Sequence, residues 1–131
     1  MKISTSLNSS HSFREECRGD IQKTCIGDEI RVTVYLEIPN CVLKTTDQYR
    51  KERVQAFEGV VCCKHTSDRN FDATITVRKM YPGGAVEKVF LVNSPWIASI
   101  NIISRSMVKR SKLYYLRKRS GKAARLKRFQ S

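Results

Sequence analysis

GDEIRVTVYLEIPN, residues 27–40, decides the fold class. Ile30, Val32, Val34, Leu36 and Ile38 alternate with Arg31, Thr33, Tyr35 and Glu37. A period of two puts successive side chains on opposite faces, so the spacing predicts a strand with one buried face. Gly27-Asp28 opens it and Pro39-Asn40 closes it, because proline cannot donate to a ladder.

The segments on either side of this strand repeat the pattern. The polar run from Lys44 to Arg53 has little to bury and reads as a loop, after which a second strand runs from Val54 to about Cys63. Gly59 falls inside it where the alternation slips, which predicts a bulge or a close approach of backbone. In the third strand Phe71, Ala73, Ile75 and Val77 alternate with Asp72, Thr74, Thr76 and Arg78. Tyr81-Pro82-Gly83-Gly84 then supplies turn chemistry. Val86 to Val92 and Ile97 to about Ile103 are the fourth and fifth strands, separated by Ser94-Pro95. Five short strands in this span suit a small, partly open SH3-like barrel. The chain is therefore read as mainly β: a polar lead-in over 1–26, the barrel over 27–104 and a basic extension over 105–131.

Charge narrows the function. The 131 residues carry 25 Lys and Arg against 12 Asp and Glu, a formal net charge of +13, so the field favours polyanions over neutral metabolites. Glu87 is the last acid. Twelve of the basic residues lie from Lys88 onward, and the remaining thirteen share the front of the chain with all 12 acids. The polyanion contact is expected at the back. No run approaches the ~20 apolar residues that span a bilayer, and there is no apolar signal-peptide core, so neither a membrane nor a secretory role is expected. Residues 1–14 are Ser-rich and free of acids, which weakly resembles an organelle transit segment.

Signals for catalysis are weak. Cys17, Cys25, Cys41, Cys62 and Cys63 are odd in number and follow no disulfide or zinc spacing, so they read as reduced thiols. Cys63 with His65 could form a nucleophile and base or two metal ligands, but no third partner accompanies them. Glu15-Glu16 lies in the polar lead-in, Gly83-Gly84 is a turn, and no phosphate-cradling loop or nucleophile elbow is present. The expectation is no catalytic residue, no metal, no cofactor and no small-molecule substrate.

The extension, RSMVKRSKLYYLRKRSGKAARLKRFQS from Arg105, has a cation at almost every third position and too few apolar residues for a second core. Arg105, Lys109, Arg110, Lys112, Arg117, Lys118, Arg119, Lys122, Arg125, Lys127 and Arg128 can neutralise phosphates, and Tyr115 can stack on an unpaired base. Leu113, Tyr114 and Leu116 could dock on the barrel with Tyr115 facing the other way, while a buried Tyr115 and an RNA-facing Tyr114 would satisfy the same alternation. Gly121 would let backbone approach a sugar-phosphate chain. Lys122 to Arg128 holds good helix formers over about two turns, so the extension is expected to be partly helical and ordered by a partner.

GKAARLK (Gly121 to Lys127) preceded by KLYYLR (Lys112 to Arg117) resembles the C-terminal signature of bacterial-type large-subunit ribosomal protein nineteen. Gly27-Asp28, VQAFEGVV (Val54 to Val61), TVRK (Thr76 to Lys79), VEKVF (Val86 to Phe90) and Ser94-Pro95 resemble the family's pattern in the same order. The sequence of residues 1–26 does not resemble the family's usual N-terminal helix, and Pro39 to Lys51 looks like a lengthened loop. The resemblance implies an SH3-like barrel and a structural, non-enzymatic constituent of the large subunit in a bacterial cytoplasm or an organelle, plastid or mitochondrion. Its implied partners are large-subunit rRNA, neighbouring ribosomal proteins and small-subunit rRNA at an intersubunit bridge. Two other readings start from the residues: an SH3-like translation or transcription factor that binds nucleic acid transiently, and a thiol-dependent enzyme using Cys63 and His65.

Overall fold

The computed structural model describes residues 24–37, 53–65 and 73–129. Among these, β1 (Glu29–Tyr35), β2 (Val54–His65), β3 (Thr74–Tyr81), β4 (Gly84–Leu91) and β5 (Ile97–Ser104) form one antiparallel sheet. Its order is β4-β3-β2-β1-β5, so the first strand lies between the second and the fifth. The alternation of residues 27–40 translates directly: Ile30 and Val32 are fully buried and Val34 packs against them, while Arg31 is exposed. The strand ends at Tyr35, earlier than the pattern predicts, because Leu36 is already half exposed beyond the core. Ile38, the loop Pro39 to Lys51, Phe71 and residues 1–23 of the lead-in lie outside the described residues.

One apolar cluster takes Ile30 and Val32 from β1, Phe57 and Val61 from β2, Ile75 and Val77 from β3, and Ile97 and Ile100 from β5, with Phe90 of β4 packed against it. β4 and β5 are the outer strands and do not pair, yet both reach the same cluster. The sheet must therefore curl around one face, as in an SH3-like barrel. Each fully buried Val, Ile or Phe contributes roughly 1.5–3 kcal/mol relative to exposure.

Gly59 is a close approach and not a bulge. Its register against Ile30 is regular, and a Cβ there would lie 2.5 Å from the carbonyl oxygen of Arg78 on β3. The bulge falls later, between Val61 and Cys63, so that Cys62 is the unpaired residue against β3. The β3–β4 hairpin closes with Tyr81 opposite Gly84, leaving Pro82 and Gly83 as the loop. Proline there fixes the φ that the second position of a tight turn requires.

Residues 105–129 differ from expectation. Two single turns of 3-10 helix, η1 (Tyr114–Lys118) and η2 (Gly121–Ala124), replace the helix over Lys122 to Arg128. Ser106 and Arg128 instead bridge antiparallel, with Met107 N–H donating to Lys127 O and Phe129 N–H to Arg105 O, both at 2.9 Å. A two-turn helix does not recover its nucleation cost, and like charges at helical spacing oppose it further.

Candidate nucleic-acid interface

The extension does build a second core, contrary to expectation. Leu113 and Leu116 are buried with Cys62 of β2, and Ile26, Val108, Tyr115, Ala124 and Leu126 pack around them. Strand alternation puts Cys62 on the face opposite Val61, so Cys62 meets this cluster while Val61 stays in the barrel core. Leu113 N–H donates to Cys62 O at 2.9 Å, and Val108 fills the space over Gly27, where a Cβ would lie 2.6 Å from it. Burial pushes the Cys62 thiol up to about 11, with Glu87 adding to the shift, so it stays protonated.

Polar contacts fix the same docking. Arg78 on β3 and Glu87 on β4 are register partners, and their side chains lie on the face opposite Val77 of the core. Arg78 Nη1 donates to Glu87 Oε1 at 2.7 Å and its Nη2 to the Leu116 carbonyl at 3.4 Å. Arg117 donates to both Glu87 oxygens, through Nε at 3.1 and 3.2 Å and Nη2 at 2.8 Å. The Arg117 hydrogen bond, seconded by that of Arg78, holds the Glu87 carboxyl below its ordinary range despite partial burial. Farther along, Arg128 Nη2 and Ser104 Oγ donate to Glu29 Oε2 at 3.2 and 3.0 Å.

Docking the apolar residues turns the cations outward. Arg105, Lys109, Arg110, Lys112, Arg117, Lys118, Arg119, Lys122, Arg125, Lys127 and Arg128 are all exposed. Two of them are committed within the chain, Arg117 to Glu87 and Arg128 to Glu29. The other nine have no ion pair among the described residues, which leaves their charge for an external anion. Gly121, at φ +61 with open space around it, takes a left-handed conformation costly for a side chain.

The adjacent tyrosines divide, Tyr115 toward the second cluster and Tyr114 outward, the second of the two arrangements that the alternation allows. Tyr114 is exposed, and its hydroxyl donates to Cys63 Sγ at 3.5 Å while Arg117 lies over its ring. Tyr115 is half-buried against the second cluster, with Arg110 and Arg119 over its ring. Cys63 is itself buried and His65 exposed, an arrangement that does not assemble a nucleophile with its base. Among the described residues no three His, Cys, Asp or Glu side chains are grouped to hold a metal, and no helix is long and apolar enough to cross a membrane.

Sequence reasoning missed Arg78, Glu87, Glu29 and Cys62 as parts of this surface. Glu87 carried a signal, as the last acid before a wholly basic stretch. Arg78 and Cys62 carried none, because their roles depend on which strands and which part of the extension the fold brings against them.

The family described as Ribosomal protein L19 matches residues 8–129. The chain is 46% identical over 112 residues to the large ribosomal subunit protein bL19c of Mesostigma viride, covering 86% of this chain and 84% of the relative. It is 43% identical over 113 residues to bL19 of Cyanothece sp., covering 86% and 84%, and 41% identical over 119 residues to bL19c of Gracilaria tenuistipitata var. liui, covering 90% and 88%.

Proposed function

The chain belongs to the ribosomal protein L19 family of the large ribosomal subunit, and from that premise we propose that residues 105–129 are the surface by which it holds large-subunit ribosomal RNA. The family is one of ribosomal structural proteins, not enzymes, and its place is the ribosome. One observation carries the RNA reading: all eleven cations between Arg105 and Arg128 are exposed, while Leu113 and Leu116 between them are buried against the sheet. A surface of this kind neutralises phosphates and releases counterions.

The curled sheet acts as a rigid platform and the extension as the RNA-facing belt. Val89 and Leu91 are exposed on one face of the outer strand β4, a small apolar surface suited to a neighbouring ribosomal protein. Placement beside the small subunit, with contact to its RNA at a bridge, is supported by the family resemblance. Crosslinking in intact ribosomes tests it, and crosslinks confined to large-subunit components would count against it.

The test of RNA binding uses the full chain with Lys112, Lys118, Lys122 and Lys127 replaced by Gln, changes that leave the docking residues intact. Affinity for a large-subunit rRNA transcript should fall, and the slope of log affinity against log salt should flatten by roughly 0.7–0.9 for each phosphate that is no longer neutralised. An unchanged affinity and slope would refute the reading.

A further inference from the structure

Arg110 and Arg119 are separated along the chain but meet over one ring. Each guanidinium carbon lies 5.1 Å from the Tyr115 centroid. The ring is half-buried against the cluster of Cys62, Leu113 and Leu116, so its position is fixed by packing. Both arginines are exposed, and neither has an ion pair among the described residues. Two cations are therefore held within roughly 10 Å of one another, about a Debye length at 0.1 M salt, with no carboxylate among the described residues paired to either. The ring's quadrupole orients the guanidiniums without neutralising them, so their charge remains directed at an external anion. The Arg117 and Tyr114 pair is the contrast: that ring is also under a guanidinium, at 4.8 Å, but its charge is taken by Glu87.

We propose that Arg110 and Arg119 form a preassembled clamp for neighbouring phosphates of one RNA strand, and that Tyr115 is its positioning residue, acting through the two arginines and not by stacking on a base. The proposal rests on the RNA-binding reading above and specifies where within that surface the backbone is gripped. Guanidinium forks match phosphate oxygens in geometry, and the stretch around the clamp has cations and no acid after Glu87, which favours a polyphosphate strand over an acidic peptide.

The experiment measures affinity of the full chain for a large-subunit rRNA transcript across a salt series, for Tyr115→Leu, Tyr115→Phe, the pair Arg110→Gln with Arg119→Gln, and that pair combined with Tyr115→Leu. Losing the arginine pair should flatten the salt slope by roughly 1.4–1.8. Tyr115→Leu, which keeps the apolar packing, should weaken binding roughly 3- to 10-fold, and Tyr115→Phe, which keeps a ring, should recover most of that loss. In the arginine-free background Tyr115→Leu should have no further effect. A Tyr115→Leu loss that persists there means the ring touches RNA itself and overturns the proposal. Full binding by the arginine pair variant, while the lysine replacements above still weaken binding, also overturns the clamp but leaves the RNA-binding reading standing. Competition by poly-glutamate as strong as by RNA would overturn the phosphate assignment.

Discussion

A hydrogen atom in place of a side chain at residue 59 sets how closely β2 approaches β3. With a Cβ there only 2.5 Å from the Arg78 carbonyl oxygen and 2.9 Å from a Val77 methyl, neither neighbour can yield cheaply: one is backbone and the other is in the core. Gly59→Ala should therefore destabilise the chain by roughly 1–3 kcal/mol, although alanine is the better strand residue, and a lowered urea midpoint checks it. The same crowding bears on function, because Arg78 carries the hydrogen bond to the Leu116 carbonyl of the extension. That residue 59 was special was legible in the sequence, since the alternation slips at a glycine. Which irregularity it marked was not: a bulge and a close approach leave the same trace in one strand, and only the regular register against β1 and the crowding against β3 separate them.

The extension is held by two kinds of contact, an apolar one through Leu113 and Leu116 and an ionic one through Glu87 and Glu29. Their pH dependences differ. Because the Glu87 carboxyl is held below its ordinary value of 4.5 in the folded chain, its pairs with Arg78 and Arg117 contribute fully above that value and are lost as pH falls through the depressed one. Amide exchange at Leu113, whose N–H donates to Cys62 O, should thus accelerate below the ordinary carboxylate range after correction for intrinsic rates. Glu87→Gln should show the faster exchange already at neutral pH and lose most of the acid dependence; equal exchange in variant and parent would disprove the ionic tether. The five strands were legible because period-two alternation is local. The docking of Leu113 and Leu116 was legible too, but their partner was not, because Cys62 lies on a distant strand and no local pattern pairs it with them. The helix expected over Lys122 to Arg128 failed for a related reason: propensity favoured it, but the segment pairs back on Ser106.

At the scale of the whole molecule, the second cluster makes the extension part of the folded unit instead of a tail appended to a finished barrel. Removing residues 105–131 would uncover Cys62 and leave Glu87 and Glu29 without Arg117 and Arg128. Exposing Cys62 and Ile26 and unpairing Glu87 from Arg117 should make the truncated chain less stable by about 1–3 kcal/mol. A truncation that weakens RNA binding would for this reason confound the removal of phosphate-binding cations with a drop in stability, which is why side-chain neutralisation in the full chain is the cleaner test. The chain carries a single tryptophan, Trp96, in the connection between β4 and β5, and it reports on the barrel; labelling of the Cys62 thiol, read by mass spectrometry, reports on the extension. If the two are one cooperative unit, urea should unfold both with the same midpoint in the full chain. In Glu87→Gln the Cys62 signal should move to lower urea than the Trp96 signal, because the extension has then lost the ionic tether beside Leu116. Separate midpoints in the unmodified chain, with Cys62 labelled before Trp96 responds, would show that the extension docks as an independent appendage and that the barrel completes its fold without it.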